Sequence, residues 1–94
     1  MRPRLVRLSD EALAAIASMH PEQKRRVREA IDRLRSDPEI GKELMGELAG
    51  WRSLRIARLR IVYRFKAQRI EIATLGPRAA IYLEAARLFG RSPS

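Results

Sequence analysis

The chain has 94 residues, no cysteine and a single histidine, His20, which excludes disulfides, cysteine-ligated metals and multi-histidine metal sites within one chain; no cofactor is expected. No apolar run approaches the ~20 residues a bilayer-spanning helix needs, and the basic start Met1-Arg2-Pro3-Arg4 leads into no secretory apolar stretch, so a cytoplasmic location is expected. The formal net charge of +9 is unevenly placed: residues 1–50 carry ten basic and nine acidic side chains, residues 51–94 ten basic and two acidic ones, Glu71 and Glu84.

A chain of this length makes one domain, and such a domain buries only roughly 60–65% of the surface its unfolded form exposes. The expected core is thin, one layer of helices on one sheet. In chain order, Arg4–Leu8 reads as a short strand, with Leu5, Val6 and Leu8 apolar among arginines. Ser9 is a suitable helix N-cap, and Asp10 and Glu11 follow where the helix dipole favours negative charge. Leu13, Ile16 and Met19 then mark one face of a first helix. His20-Pro21 breaks it, since proline lacks a backbone donor and restricts the residue before it, and His20 is expected to be a helix cap or surface residue. Pro21 is suited to open a second helix running to about Arg35, with Val27, Ala30, Ile31 and Leu34 inward and a charged outer face.

Ser36-Asp37-Pro38 closes that helix, and the stretch to Gly50 is punctuated by glycine, with Glu39–Met45 admitting a helical fragment. Three strands follow: Trp51–Ala57, Leu59–Lys66 and Arg69–Leu75, the last with Ile70, Ile72 and Thr74 on one face and Glu71 and Ala73 on the other. Their links, Ala57-Arg58 and Ala67-Gln68, are short enough for hairpins, which predicts an antiparallel meander ended by Gly76-Pro77. A helical stretch over Ala79–Phe89, Gly90 and a polar tail complete the chain. Strands segregated from helices give an α+β fold in a single domain spanning residues 1–94.

Nine of the ten basic residues in the second half are arginine, whose planar fork grips phosphate bidentately and stacks on bases. That asymmetry points to nucleic acid or an acidic protein partner, against the plainer alternative of a solvated basic face.

The run Leu44-Met-Gly-Glu-Leu-Ala-Gly-Trp-Arg-Ser-Leu-Arg-Ile-Ala-Arg-Leu-Arg-Ile-Val-Tyr-Arg-Phe65 resembles the RelE/ParE superfamily of type II toxin–antitoxin toxins. A leucine and glycine precede the sheet, the central strand carries Arg60-Ile-Val-Tyr63, and Gly76-Pro-Arg78 is followed by Tyr82. With the preceding strand and helical hairpin, the resemblance covers nearly the whole chain. It implies a cognate antitoxin as partner. It also implies one of two activities: RelE-like cleavage of messenger RNA on the ribosome without a metal, or ParE-like poisoning of DNA gyrase without nuclease chemistry. A non-toxic basic module of the same fold is the third reading.

Cleavage of RNA by its own 2′-hydroxyl needs a proton acceptor, cations around the crowded phosphate and a proton donor for the leaving 5′-oxygen. The resemblance makes Arg60 and Arg78 phosphate clamps and Tyr82 a proton-transfer or stacking residue, with Arg52, Arg55 and Arg58 as further phosphate contacts. Alternation along strands puts Arg58 and Arg60 on one face and Ile61 and Tyr63 on the other, with Arg52 and Arg55 pointing oppositely. The first meander strand carries Arg52, Ser53 and Arg55 where RelE-like enzymes commonly carry lysines, a departure that bears on acid–base chemistry more than on phosphate binding. Arg60 has a structural alternative, pairing with Glu71 across the sheet. Arg78 could instead satisfy backbone carbonyls, Tyr63 and Trp51 are read mainly as core, and Tyr82 divides evenly between packing and function.

Overall fold

The structure, a computed structural model, describes residues 4–77. Its elements are β1 (Leu5–Leu8), α1 (Asp10–Ala17), α2 (Pro21–Ser36), β2 (Lys42–Glu43), β3 (Arg52–Ile56), β4 (Leu59–Lys66) and β5 (Arg69–Pro77), with 3₁₀ turns at Pro38–Ile40 and Gly46–Leu48. The five strands form one sheet in the order β1-β5-β4-β3-β2. β3, β4 and β5 are the expected antiparallel meander, and β1 joins β5 in parallel. The helix expected over Ala79–Phe89, together with Arg78 and Tyr82, lies outside the described residues.

Local chemistry sets the helix boundaries. Ser9 caps α1, its hydroxyl accepting from Ala12 N at 3.0 Å while donating to the Ala73 carbonyl. His20 is the N-cap of α2, its backbone N–H donating to Gln23 Oε1 at 3.4 Å, and Pro21 occupies the first turn where a missing N–H costs nothing. At the other end of α2, Arg35 Nε donates to the Arg4 carbonyl at 3.1 Å and Arg4 Nη1 returns a bond to the Arg35 carbonyl at 3.0 Å, tying the helix to the start of β1.

The helices cover one face of the sheet. Ala12, Val27, Ala30 and Leu34 pack there on Leu54, Ile61, Tyr63, Ile70, Ile72 and Leu75. On α1 the inward residue is Ala12, while Leu13, expected inside, is 50% exposed. The inner stripe runs Ala12, Ala15, Ile16, Met19, and Leu13 lies just off it. On the opposite face Leu48, Trp51, Val62 and Ala73 form a second, smaller cluster flanked by Leu44. The two clusters account for the near-continuous apolar run of β4, where Ile61 and Tyr63 face the helices and Val62 faces away.

The 38–50 segment differs from the expectation. Glu39–Met45 is no helix: a 3₁₀ turn gives way at Gly41 to β2, which pairs Lys42 with Ser53 and Glu43 with Arg52. The cause is tertiary. The buried Tyr63 phenol donates to the Pro38 carbonyl at 2.7 Å and accepts from Gly41 N at 2.9 Å, pinning an extended chain over the sheet edge. The last strand also runs past Leu75 to Pro77. β1 covers β5 only from Arg69 to Ile72, so at Pro77 a proline's missing N–H interrupts no ladder on that side.

Both tight hairpin turns hold an alanine in the left-handed region, Ala57 at φ 52 and Ala67 at φ 50. A Cβ there costs about 1–2 kcal/mol, offset in part by the greater chain entropy of an unfolded glycine. Ala67→Gly is therefore expected to stabilise the fold by about 0.5–1 kcal/mol, read as a rise in the thermal midpoint.

Candidate phosphate-binding face

Register decides which arginines meet. Residues directly opposite in a ladder share a face of the sheet. Arg60 lies opposite Gly76 and Arg55, Arg64 opposite Glu71, and Arg7 also opposite Glu71 from the β1 side. Arg60, Val62 and Arg64 alternate with the helix-facing Ile61, Tyr63 and Phe65. Arg7, Arg60 and Arg64, with Arg55 at the edge opposite Arg60, therefore start from the face turned away from the helices. Glu71 is the only carboxylate in residues 51–77.

Arg60 is half-buried in the middle of this face, and its Nη1 donates to Ser53 Oγ at 3.4 Å. The structural alternative weighed for Arg60, pairing with Glu71, is not what the register gives: the hairpin at Ala67-Gln68 sets Lys66 opposite Arg69, and so Arg64 opposite Glu71. Arg64 Nε donates to Glu71 Oε1 at 3.0 Å. The other ladder surprise sits nearby. Val62 pairs with Thr74 and Tyr63 with Ile72, so Ala73 is an extra residue in β5, a bulge. It moves Thr74 to the Val62 face, against the expected grouping with Ile70 and Ile72. The Ser9 hydroxyl, bonded to the Ala73 carbonyl, occupies the extra acceptor.

The remaining expected contacts are distributed. Arg52 and Arg55 do point oppositely. Arg52, opposite Tyr63, turns to the helix side, where Nη1 donates to the carbonyls of Glu39 (3.2 Å) and Gly41 (2.8 Å) and Nη2 to Glu43 (3.1 Å). Its guanidinium also lies 5.5 Å from the Phe65 ring centre. Arg52 is thus engaged in holding the 38–43 segment. Arg55 leaves β3 on the Arg60 side, but β2 pairs β3 only at Arg52 and Ser53, and from this edge the side chain lines a groove with Arg25, Arg26 and Arg33 of α2, its Nε donating to the Ala57 carbonyl at 3.4 Å. Arg58 is exposed in the hairpin turn and not, as expected, on the strand face beside Arg60. Arg78 and Tyr82 are outside the described residues.

Sequence reasoning passed over Arg64 and Trp51 as a pair. The Arg64 guanidinium lies 4.5 Å from the centre of the Trp51 ring, and Trp51 is 8% exposed. The signal was present, since Arg64 stands four residues from Arg60 on a strand of period two.

Tyr63 is no candidate for proton transfer on this face: it is fully buried on the helix side. Burial pushes its phenol above the ordinary range, with the Gly41 N–H and nearby Arg52 partly opposing this. The folded protein then retains a proton that the unfolded chain releases near pH ~10. This contribution to stability is fully present below that pH and is lost as pH climbs through the raised value. In a phenolate absorbance titration of the two tyrosines, Tyr63 should stay neutral above pH ~10 and ionise with unfolding. Ionisation of Tyr63 at the ordinary value in a folded chain would contradict the buried phenol.

A mixed sheet with a helical hairpin on one face and arginines of the meander on the other is the α+β architecture of the RelE/ParE type. Residues 6–82 match the family of the ParE toxin of type II toxin–antitoxin systems, parDE, and the chain belongs to that family. No curated protein matches the sequence. Among solved structures, the RelBE2 toxin–antitoxin complex of Mycobacterium tuberculosis is 30% identical, with 82% of this chain and 100% of that one covered at a TM-score of 0.74. The archaeal RelE–RelB complex of Pyrococcus horikoshii is 26% identical over 83% of this chain and 98% of that one, TM-score 0.64. A mutant Escherichia coli RelE in the free state shares the fold at 14% identity, over 92% of this chain and 97% of that one, TM-score 0.74. Among the described residues no helix is long and apolar enough to cross a membrane.

Proposed function

We propose that this toxin cleaves messenger RNA in the ribosome as RelE-like enzymes do, and that a cognate antitoxin neutralises it. The observation that carries this reading is the row of guanidinium groups from Arg7, Arg60 and Arg64 on the sheet face turned away from the helices, beside a single carboxylate among residues 51–77. Delocalised cations held by a rigid sheet are suited to the extra negative charge of a pentacovalent phosphate. The identity to the M. tuberculosis RelBE2 complex supports the same branch.

In this reading Arg60, from the middle of β4, and Arg78, just past β5, hold the scissile phosphate. Tyr82 moves a proton as the 2′-oxygen attacks phosphorus and the 5′-oxygen departs. Arg55 and Arg58, at the β3–β4 hairpin, steer the RNA backbone. Arg52 enters as a positioning residue, since its donors already hold the carbonyls of Glu39 and Gly41. The antitoxin is expected to be acidic enough to cover this face, and its affinity should fall as salt rises.

One observation favours gyrase inhibition as a second reading. Among the described residues, the exposed face offers arginine, a poor proton carrier, and one carboxylate already bonded to Arg64. A translating extract that also contains gyrase and supercoiled DNA separates the two. Cleaved message with intact DNA is the expected result; intact message with gyrase-dependent DNA breaks would select the second reading.

A further inference from the structure

The sheet face turned away from the helices holds a cavity of about 260 Å³ lined by Arg7, Ser9, Trp51, Arg64, Glu71 and Ala73. Its construction is unusual for a surface pocket. Trp51 is buried and supplies a fixed ring. Arg64 lies on that ring at 4.5 Å and is held sideways by the 3.0 Å bond from its Nε to Glu71. An arginine fixed both by a ring beneath it and by a carboxylate at its edge loses little freedom when a third planar group stacks on it. The Arg64 side chain is 50% exposed, so such a group can reach it. Arg7, opposite Glu71 on β1, adds a cation at the rim for a phosphate.

From these observations we propose that the Trp51–Arg64 stack is a seat for one unpaired nucleobase of single-stranded RNA, which lies against the guanidinium while Arg7 meets the adjoining phosphate. Arg64 follows Arg60 by four residues on the same face of β4, about 13 Å at strand rise. A short extended segment of RNA spans that distance, so one strand can be held by its phosphate at Arg60 and by a base at Arg64. Stacking tolerates every base, so the seat positions RNA without reading its sequence. The inference rests on the RNA-directed reading above and adds a second point of attachment to it.

Trp51 is the only tryptophan in the chain and therefore reports on its own site. The experiment titrates the full-length toxin with a 2′-O-methyl oligoribonucleotide, which cannot be cleaved, and follows indole emission and oligonucleotide anisotropy together. Message cleavage in a translating extract is measured on the same preparation. The expected result is saturable change in indole emission that tracks anisotropy. Arg64→Lys keeps the charge but loses the planar stack; it should weaken binding about five-fold or more and abolish the emission change. An oligonucleotide with one abasic position should lose the same increment on wild-type toxin but not on Arg64→Lys. Cleavage with unchanged indole emission, or with an Arg64→Lys variant that binds as wild type, would overturn the base seat and leave the RNA reading standing. Neither cleavage nor binding would overturn both. Emission that responds to an acidic antitoxin peptide and not to RNA would reassign the pocket to the protein partner and overturn the proposal.

Discussion

Arg60→Ala is expected to slow message cleavage by roughly a hundredfold or more, the usual cost of deleting one preorganised donor to a developing anion. Arg60 lies mid-strand on β4, between β3 and β5, with its guanidinium on the face turned away from the helices. A flexible surface lysine could be replaced by its neighbours, but a half-buried group on the central strand cannot. The fold should survive, because Arg60 lies outside both apolar clusters. A change in stability of no more than ~1 kcal/mol is expected. Arg60→Lys should recover only part of the rate, since an ammonium lacks the bidentate fork. A thermal melt beside the cleavage assay separates lost chemistry from lost structure.

The largest expected effect on stability comes from Gly41→Ala. A Cβ at this position would press on Tyr63 Oη and lie 2.7 and 2.9 Å from Cε1 and Cζ of the same ring. The ring has nowhere to go: Tyr63 is 0% exposed, and its hydroxyl is fixed between the Pro38 carbonyl and Gly41 N. Overpacking and the broken hydrogen bonds together should cost about 3 kcal/mol. In a domain of this size that lowers the thermal midpoint by roughly 12–24 °C. Tyr63→Phe leaves the same buried carbonyl and amide without their partner, at about 2 kcal/mol. Because the two changes damage one contact, the double variant should cost less than the two single costs together. Strict additivity in that cycle would show that Gly41 and Tyr63 act independently.

Tyr63 also shows why part of the fold was legible and part was not. Strand β4 announces itself through β-branched and aromatic residues, and the turns at Ala57-Arg58 and Ala67-Gln68 dictate the meander and its register. The opposition of Arg64 and Glu71 follows from that register, and so does the separation of Arg60 from Glu71, the alternative weighed for Arg60. β2 is different. Two charged residues in a glycine-rich stretch carry no strand signal, and they are extended because Tyr63 and Arg52, distant in sequence, bind Pro38, Glu39 and Gly41. The bulge at Ala73 is equally non-local, with the Ser9 hydroxyl meeting the extra carbonyl.

For the candidate site, strand period separated Arg52 from Arg55. Composition alone treated all the arginines of the second half as equivalent, and they are not. Arg52 is structural in its bonding, Arg55 lines the α2 groove from the sheet edge, Arg58 sits at a turn, and Arg60 and Arg64 share the face turned away from the helices. No local pattern tells a guanidinium committed to backbone carbonyls from one presented to a ligand. That difference is made by the tertiary contacts of the 38–43 segment.

In the proposed reaction the sheet face turned away from the helices, and not positive charge as such, does the work. This is tested most directly by comparing message cleavage in a translating extract for Arg60→Ala and Arg33→Ala, which remove one charge each, from the sheet face and from the exposed side of α2. The first is expected to lose roughly a hundredfold while the second stays within about two-fold of wild type. Equal losses from the two would show that any cation serves, and would contradict this role of the face.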